Sequence, residues 1–187
     1  CMSRPGGDKI GIRPIDVHLQ GFESLGAEIN DKNPNYREIK LKELKSNDFH
    51  LFEISVTGTA NIILASVLSK GFEAKIVIRN AACEPYVVGL CNLLNAMGAH
   101  IEGVGSNTLY ITTVEKLNGA THQLSPDFVE AGSFIGLAAL TGSEITLKNI
   151  ALADLGHMIP YTFNMLGIKI KETKEGIHVP ACKHYKI

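Results

Sequence analysis

The residues best suited to chemistry are gathered in one short stretch, Pro5-Gly6-Gly7-Asp8-Lys9-Ile10-Gly11-Ile12-Arg13-Pro14-Ile15-Asp16. Its three glycines let the backbone approach a ligand closely or move as a lid. Within it sit a carboxylate (Asp8), an ammonium (Lys9) and a guanidinium (Arg13). Arg13 stands immediately before a predicted helix start, where its fork could pair with a phosphate or a carboxylate. The N–H groups and dipole of the helix start favour the same anion. A Gly-rich loop fits a solvated surface loop equally well, so on the residues alone both readings stand.

Ser55-Val56-Thr57-Gly58-Thr59 opens a second predicted helix. Structural capping accounts for it without any ligand, although the same hydroxyls and amides could hold a phosphate or a sugar oxygen. Ser125-Pro126-Asp127-Phe128-Val129-Glu130 reads as a capping box, with Ser125 or Asp127 as the cap. Gly103-Val104-Gly105-Ser106-Asn107 lacks the third glycine of a nucleotide fingerprint and opens no helix, so it reads as a hairpin turn. No two of the seven histidines are spaced i, i+4, and only His18 lies near the charged stretch. The four cysteines (Cys1, Cys83, Cys91, Cys182) show no CxxC spacing and read as free thiols. Cys182 with His184 has no second ligand pair at zinc spacing, so neither metal nor cofactor is expected.

These motifs are carried by a repeat. Leu25-Gly26-Ala27-Glu28-Ile29 recurs as Met97-Gly98-Ala99-His100-Ile101 and as Leu166-Gly167-Ile168-Lys169-Ile170, roughly every 70 residues. Each copy closes a helix with glycine at the left-handed C-cap. Ahead of the copies lie Pro14-Ile15-Asp16-Val17, Pro85-Tyr86-Val87-Val88 and His157-Met158-Ile159-Pro160, near helix starts. Lys75–Asn80 and Glu144–Asn149 read as strands, preceded by small-residue helices over Thr59–Leu68 and Phe128–Leu140. After the second and third copies come strand pairs: Ala99–Glu102 with Thr108–Thr112, and Ile168–Glu172 with Gly176–Val179. The unit is helix–strand–helix–strand–strand, and its Ala/Gly/Ser-rich helices suit an inward-facing position with small sheets outside. The polar stretch 30–47 reads as a hairpin or connection, not a site.

Apolar residues make up 45 % of the 187 and charged residues 20 %, which excludes a disordered chain. A formal net charge of −1 gives no reason to expect nucleic acid or an anionic membrane as partner. The longest apolar runs, Ile62–Leu68 and Phe134–Leu140, fall well short of the roughly 18–20 residues of a membrane span. No basic-then-apolar leader is present, so the chain reads as cytoplasmic. It opens without a helix or strand ahead of the Gly6-Gly7 loop, and both ends read as those of a piece of a longer protein.

The motifs together resemble the UDP-N-acetylglucosamine enolpyruvyl transferase family. The matching pieces are Pro5-Gly6-Gly7, Ile10-Gly11, Arg13-Pro14-Ile15-Asp16-Val17-His18 and Leu25-Gly26-Ala27-Glu28-Ile29. They continue with Ser55-Val56, Asn80-Ala81-Ala82, Glu84-Pro85, Gly98-Ala99, Pro126-Asp127, Glu130, Gly132 and Phe134. The resemblance covers nearly the whole chain. It implies an α/β fold of the EPSP synthase-like kind, an inside-out barrel of repeated βαβαββ units with helices inward. Residues 1–124 would be the later part of the first domain and residues 125–187 the opening unit of the second. It also implies transfer of the enolpyruvyl group of phosphoenolpyruvate to the sugar 3′-hydroxyl, so the expected partners are these two small molecules.

On that mapping Asp8 is the general acid, in place of the family's usual cysteine, and Arg13 holds the phosphate of phosphoenolpyruvate. Arg13, Pro14, Ile15, Asp16 and Val17 line the uridine pocket, facing Glu53, Ile54, Ser55 and Val56. Two positions depart from the family's common pattern: Glu53 stands where lysine is usual, and Cys83 where arginine is usual. Other phosphoenolpyruvate ligands of the family lie outside this chain, so the piece alone is not expected to turn over. Two alternatives share the architecture: an enolpyruvylshikimate phosphate synthase, and a degenerate paralogue that binds a nucleotide sugar or a partner without catalysis.

Overall fold

A computed structural model of the chain describes residues 2–3, 14–70 and 73–181. It divides into two units, Cys1–His122 and Gln123–Ile187, each built on its own apolar core. The first unit runs β1 (Met2–Ser3), α1 (Asp16–Ser24), β2 (Glu28–Asn30), β3 (Tyr36–Lys40), β4 (Asn47–His50), α2 (Val56–Ser66), β5 (Lys75–Arg79), α3 (Pro85–Ala96), β6 (His100–Glu102) and β7 (Thr108–Thr112). The second contains α4 (Phe128–Thr141), β8 (Ile145–Lys148), a 3₁₀ turn (Leu152–Leu155), α5 (Met158–Met165), β9 (Lys171–Glu172) and β10 (Gly176–Val179).

Local signals place most of the boundaries. Pro85 occupies the first turn of α3, where its missing N–H costs nothing. Asp127 caps α4, accepting from the Val129 and Glu130 amides at 2.9 and 3.0 Å. Gly26, Gly98 and Gly167 have φ of +101°, +101° and +84°, the left-handed conformation their place after a helix requires. Helix α2 begins earlier than its apolar periodicity suggests because Ser55 caps it. It stops at Ser66 because Leu68 forms a bridge with Val114 and the Ser69 amide bonds the Val114 carbonyl.

β4, β5, β7 and β6 form one sheet in that order, with β4 parallel to β5 and the other pairs antiparallel. Between them β4, α2, β5, α3, β6 and β7 complete a βαβαββ unit. Ile76, Ile78, Ile101, Leu109 and Ile111 turn one face of the sheet into the core. Against that core α2 packs between α1 and α3, so the helices lie on the inner side and the opposite sheet face meets solvent. A bidentate ion pair, Arg79 to Asp48 at 2.7 Å for both contacts, ties β5 to β4. The second unit repeats the pattern with α4 and α5 and a three-stranded sheet, β8-β10-β9.

Two expectations change, and the α/β fold class stands. A strand does precede the glycine loop: β1 pairs with β3, an edge the local sequence cannot announce. The first strand of the third hairpin shrinks to Lys171–Glu172, because the Ile168 amide closes the end of α5 by bonding Phe163 O at 2.9 Å. The sheets of the described residues are open rows, so the barrel is represented by its repeated unit and not by a closed wall.

Candidate functional site

Asp8 and Arg13 lie outside the described residues. The other expected site residues fall on two segments that the fold sets side by side. Pro14 and Asp16 are exposed, Ile15 is the N-cap of α1, and Val17 is buried in its first turn. Glu53 and Ile54 are exposed on the approach to α2, Ser55 is its N-cap and Val56 its first residue. A glycine permits the close approach. A Cβ on Gly58 would stand 2.8 Å from Val17 Cγ1 and 2.9 Å from Ser55 Oγ.

Ser55 Oγ accepts from the Gly58 amide at 3.0 Å, the bond its capping role requires. A hydroxyl that accepts one hydrogen bond still carries a proton to donate, so capping and an anion contact do not compete. Among the described residues the cap of α1 makes no side-chain hydrogen bond, which leaves first-turn N–H groups of that helix as donors for an anion. At α3 the Val87 and Val88 amides already bond Glu84 O. Between residues 14–20 and 50–59 the charged side chains are Asp16 and Glu53, both acidic. Positive charge for a phosphate must therefore come from the helix starts or from elsewhere in the chain, where Arg13 is the nearest cation in sequence.

A third element closes on the same place. The Thr59 hydroxyl, fully buried, accepts from the Ala82 amide at 3.0 Å and pins the Asn80–Pro85 turn to α2. Cys83 is exposed on that turn. Beside it Glu84 Oε2 is buried with no hydrogen-bond partner among the described residues.

Three residues frame the site, and the sequence marks them unevenly. His18 bridges the two helices, with Nδ1 2.8 Å from Asn61 Nδ2 and Nε2 3.4 Å from Thr57 Oγ1. Burial holds its imidazole below the ordinary pKa, which suits the neutral tautomer assigned from those partners. Asn80, at φ +59°, donates to Leu51 O at 2.9 Å; its counterpart Asn149 has φ +58°, so the repeat itself points to it. Gln20 donates from Nε2 to His50 O at 2.9 Å and accepts from the Phe52 amide at 3.2 Å. Nothing in the sequence marks Gln20.

Among the described residues no three His, Cys, Asp or Glu side chains gather as metal ligands would, and Cys182 and His184 lie outside them. No helix of the described residues is long and apolar enough to cross a membrane.

The family model of EPSP synthase (3-phosphoshikimate 1-carboxyvinyltransferase) matches residues 2–186. A UDP-N-acetylglucosamine 1-carboxyvinyltransferase of Bacteroides fragilis is 51% identical over 188 residues, covering 100% of this chain and 42% of that protein. A protein of the same name from Porphyromonas gingivalis is 46% identical over 98% of this chain and 42% of its own length. The chain thus spans well under half the length of these curated relatives. Among solved structures, the enolpyruvyl transferase NikO from Streptomyces tendae superposes with a TM-score of 0.75 at 17% identity, over 94% of this chain and 44% of that one. An EPSP synthase from Acinetobacter baumannii gives 0.65 at 20% identity, over 90% and 40%. At such identities these two likenesses concern the fold.

Proposed function

The chain belongs to the EPSP synthase family, and from that premise we propose that it serves in the transfer of the enolpyruvyl group of phosphoenolpyruvate to the 3′-hydroxyl of UDP-N-acetylglucosamine. One observation carries the reading. The chain whose whole length matches transferases of that name also sets Pro14–Val17 beside Glu53–Val56 at two adjacent helix starts. Residues 1–124 are assigned to the later part of the first domain of the enzyme and residues 125–187 to the opening unit of the second.

In this proposal Asp8 delivers a proton to the methylene carbon of phosphoenolpyruvate, and the developing cation at C2 is taken by the sugar hydroxyl. The hydroxyl proton leaves to a base, which gives a tetrahedral adduct. Loss of a methyl proton and of phosphate then restores the double bond. Asp8 must be protonated to act, which desolvation or the anionic substrate beside it would favour. Arg13 holds the phosphate, and its bidentate fork suits that anion. Pro14, Ile15, Asp16 and Val17 line one wall of the uridine pocket. Glu53, Ile54, Ser55 and Val56 line the other, with Ser55 near the diphosphate. The reaction so proposed needs no cofactor, is the first committed step of peptidoglycan synthesis, and belongs in the cytoplasm.

The test is phosphate release by the full-length enzyme given phosphoenolpyruvate with either UDP-N-acetylglucosamine or shikimate 3-phosphate. Release with the nucleotide sugar alone is expected. Release with shikimate 3-phosphate would move the assignment to the sister transferase. Nucleotide-sugar binding without release by either acceptor would make the protein a non-catalytic binder, the reading that Glu53 and Cys83 favour.

A further inference from the structure

We propose that Gln20 is a positioning residue that sets the spacing between the two walls of the nucleotide-sugar pocket, an inference that rests on the function proposed above. Among the described residues β4 is the edge of its sheet, bonded to β5 on one side only. Just past its end, Leu51 is fully buried, and both its backbone groups turn toward β5: its amide bonds Arg79 O at 3.0 Å and its carbonyl accepts from Asn80 Nδ2 at 2.9 Å. Its neighbours' groups, His50 O and Phe52 N–H, take the Gln20 carboxamide instead, at 2.9 and 3.2 Å.

A strand paired in parallel offers its neighbour this same pair of groups, an acceptor at one residue and a donor two residues on. The carboxamide of Gln20 therefore stands in for a missing strand, and it does so from α1, one turn after Asp16. Glu53–Val56 follow directly from the clamped residues, and Pro14–Val17 lead directly into the helix that does the clamping. Phe52, Glu53 and Ile54 are exposed and have no ladder of their own among the described residues. Their placement relative to α1 depends on the clamp.

Gln20→Met keeps the length and apolar stem and removes both hydrogen bonds, whereas Gln20→Glu keeps an acceptor for Phe52 N–H and loses the donor to His50 O. In the full-length enzyme, the KM for UDP-N-acetylglucosamine should rise roughly fivefold to tenfold in Gln20→Met and less in Gln20→Glu. kcat and the KM for phosphoenolpyruvate should stay within about twofold. Amide exchange of residues 51–56 in the ligand-free protein should speed up about tenfold in Gln20→Met. That exchange readout needs no substrate, so it stands even if the enzyme takes another acceptor. Unchanged exchange would overturn the clamp. Faster exchange with an unmoved nucleotide-sugar KM, or an equal loss in both substrates' KM and kcat, would overturn its role in the pocket.

Discussion

At the scale of single residues the proposed site differs from the family's common pattern in charge and in reactivity. Asp8 is a hard carboxylate where a soft thiolate is usual, and an epoxide is opened far more readily by the thiolate. The full-length enzyme is therefore expected to resist time-dependent inactivation by fosfomycin, and Asp8→Cys is expected to become sensitive. Inactivation of the unaltered enzyme, followed as residual phosphate release, would contradict this. Glu53 places a negative charge where a diphosphate is proposed to bind, and it is exposed, so the repulsion is screened. Glu53→Lys should tighten nucleotide-sugar binding by about threefold to tenfold at low salt, with the gain shrinking as salt is added. Calorimetric titration at two ionic strengths decides it: an affinity indifferent to both charge and salt would remove Glu53 from the pocket wall.

Between elements, the contact that matters most is α1 against α2. A Cβ on Gly21 would overlap Cγ1 and Cδ1 of Ile62, and Ile62 is fully buried with nowhere to retreat. Gly21→Ala should lower stability by about 1–3 kcal/mol despite alanine's better helix propensity. Urea unfolding would show it as a lower midpoint at unchanged slope, and an unchanged midpoint would mean the two helices can slide apart freely. The same helix pair carries a pH dependence. Burial lowers the folded-state pKa of His18 below the ordinary 6.5, so the unfolded chain binds the proton more readily. The stability His18 contributes is present above about 6.5 and is lost as pH falls through the lowered folded value. Protonation would also remove the Nδ1 acceptor that Asn61 uses. Melting temperature followed from pH 7.5 downward should therefore fall more steeply for the wild type than for His18→Gln; parallel curves would exclude the linkage.

On the scale of the whole molecule, the two units differ in how fully they cover their helices. α2 in the first unit buries Gly58, Thr59, Ile62, Ile63 and Ser66. α5 in the second buries none of its residues, and α4 leaves Leu140 87% exposed. Met158, Tyr161 and Met165 add 70%, 61% and 60% exposure on α5. Those three recur at helical spacing on one face of α5, and exposed apolar side chains grouped on one face are sticky in water. The 187-residue chain alone should self-associate as its concentration rises, read by size exclusion with light scattering, and Leu140→Lys with Met165→Lys should reduce that. A constant one-chain mass would show that these side chains are harmless where they stand. The coverage also fits the proposal that turnover belongs to the full-length enzyme, since the relatives this chain matches are more than twice as long.

What was legible in the sequence is what neighbouring residues decide among themselves. The left-handed glycines at Gly26, Gly98 and Gly167, the proline opening α3, the aspartate capping α4 and the turn at 103–107 each follow from a few adjacent side chains. The repeat was legible because it echoes those local signals three times, and the two segments of the proposed pocket were legible through the family resemblance. What only the tertiary structure decided joins residues far apart in the chain. The parallel pairing of β4 with β5, the short β1 on β3, and the buried bond from Ala82 to Thr59 have no local signature. Gln20 is the clearest case: it holds groups 30 and 32 residues away, and its value lies in the geometry of an open strand edge. A carboxamide can satisfy any backbone group it reaches, so its type says nothing about its partner until packing brings the two together.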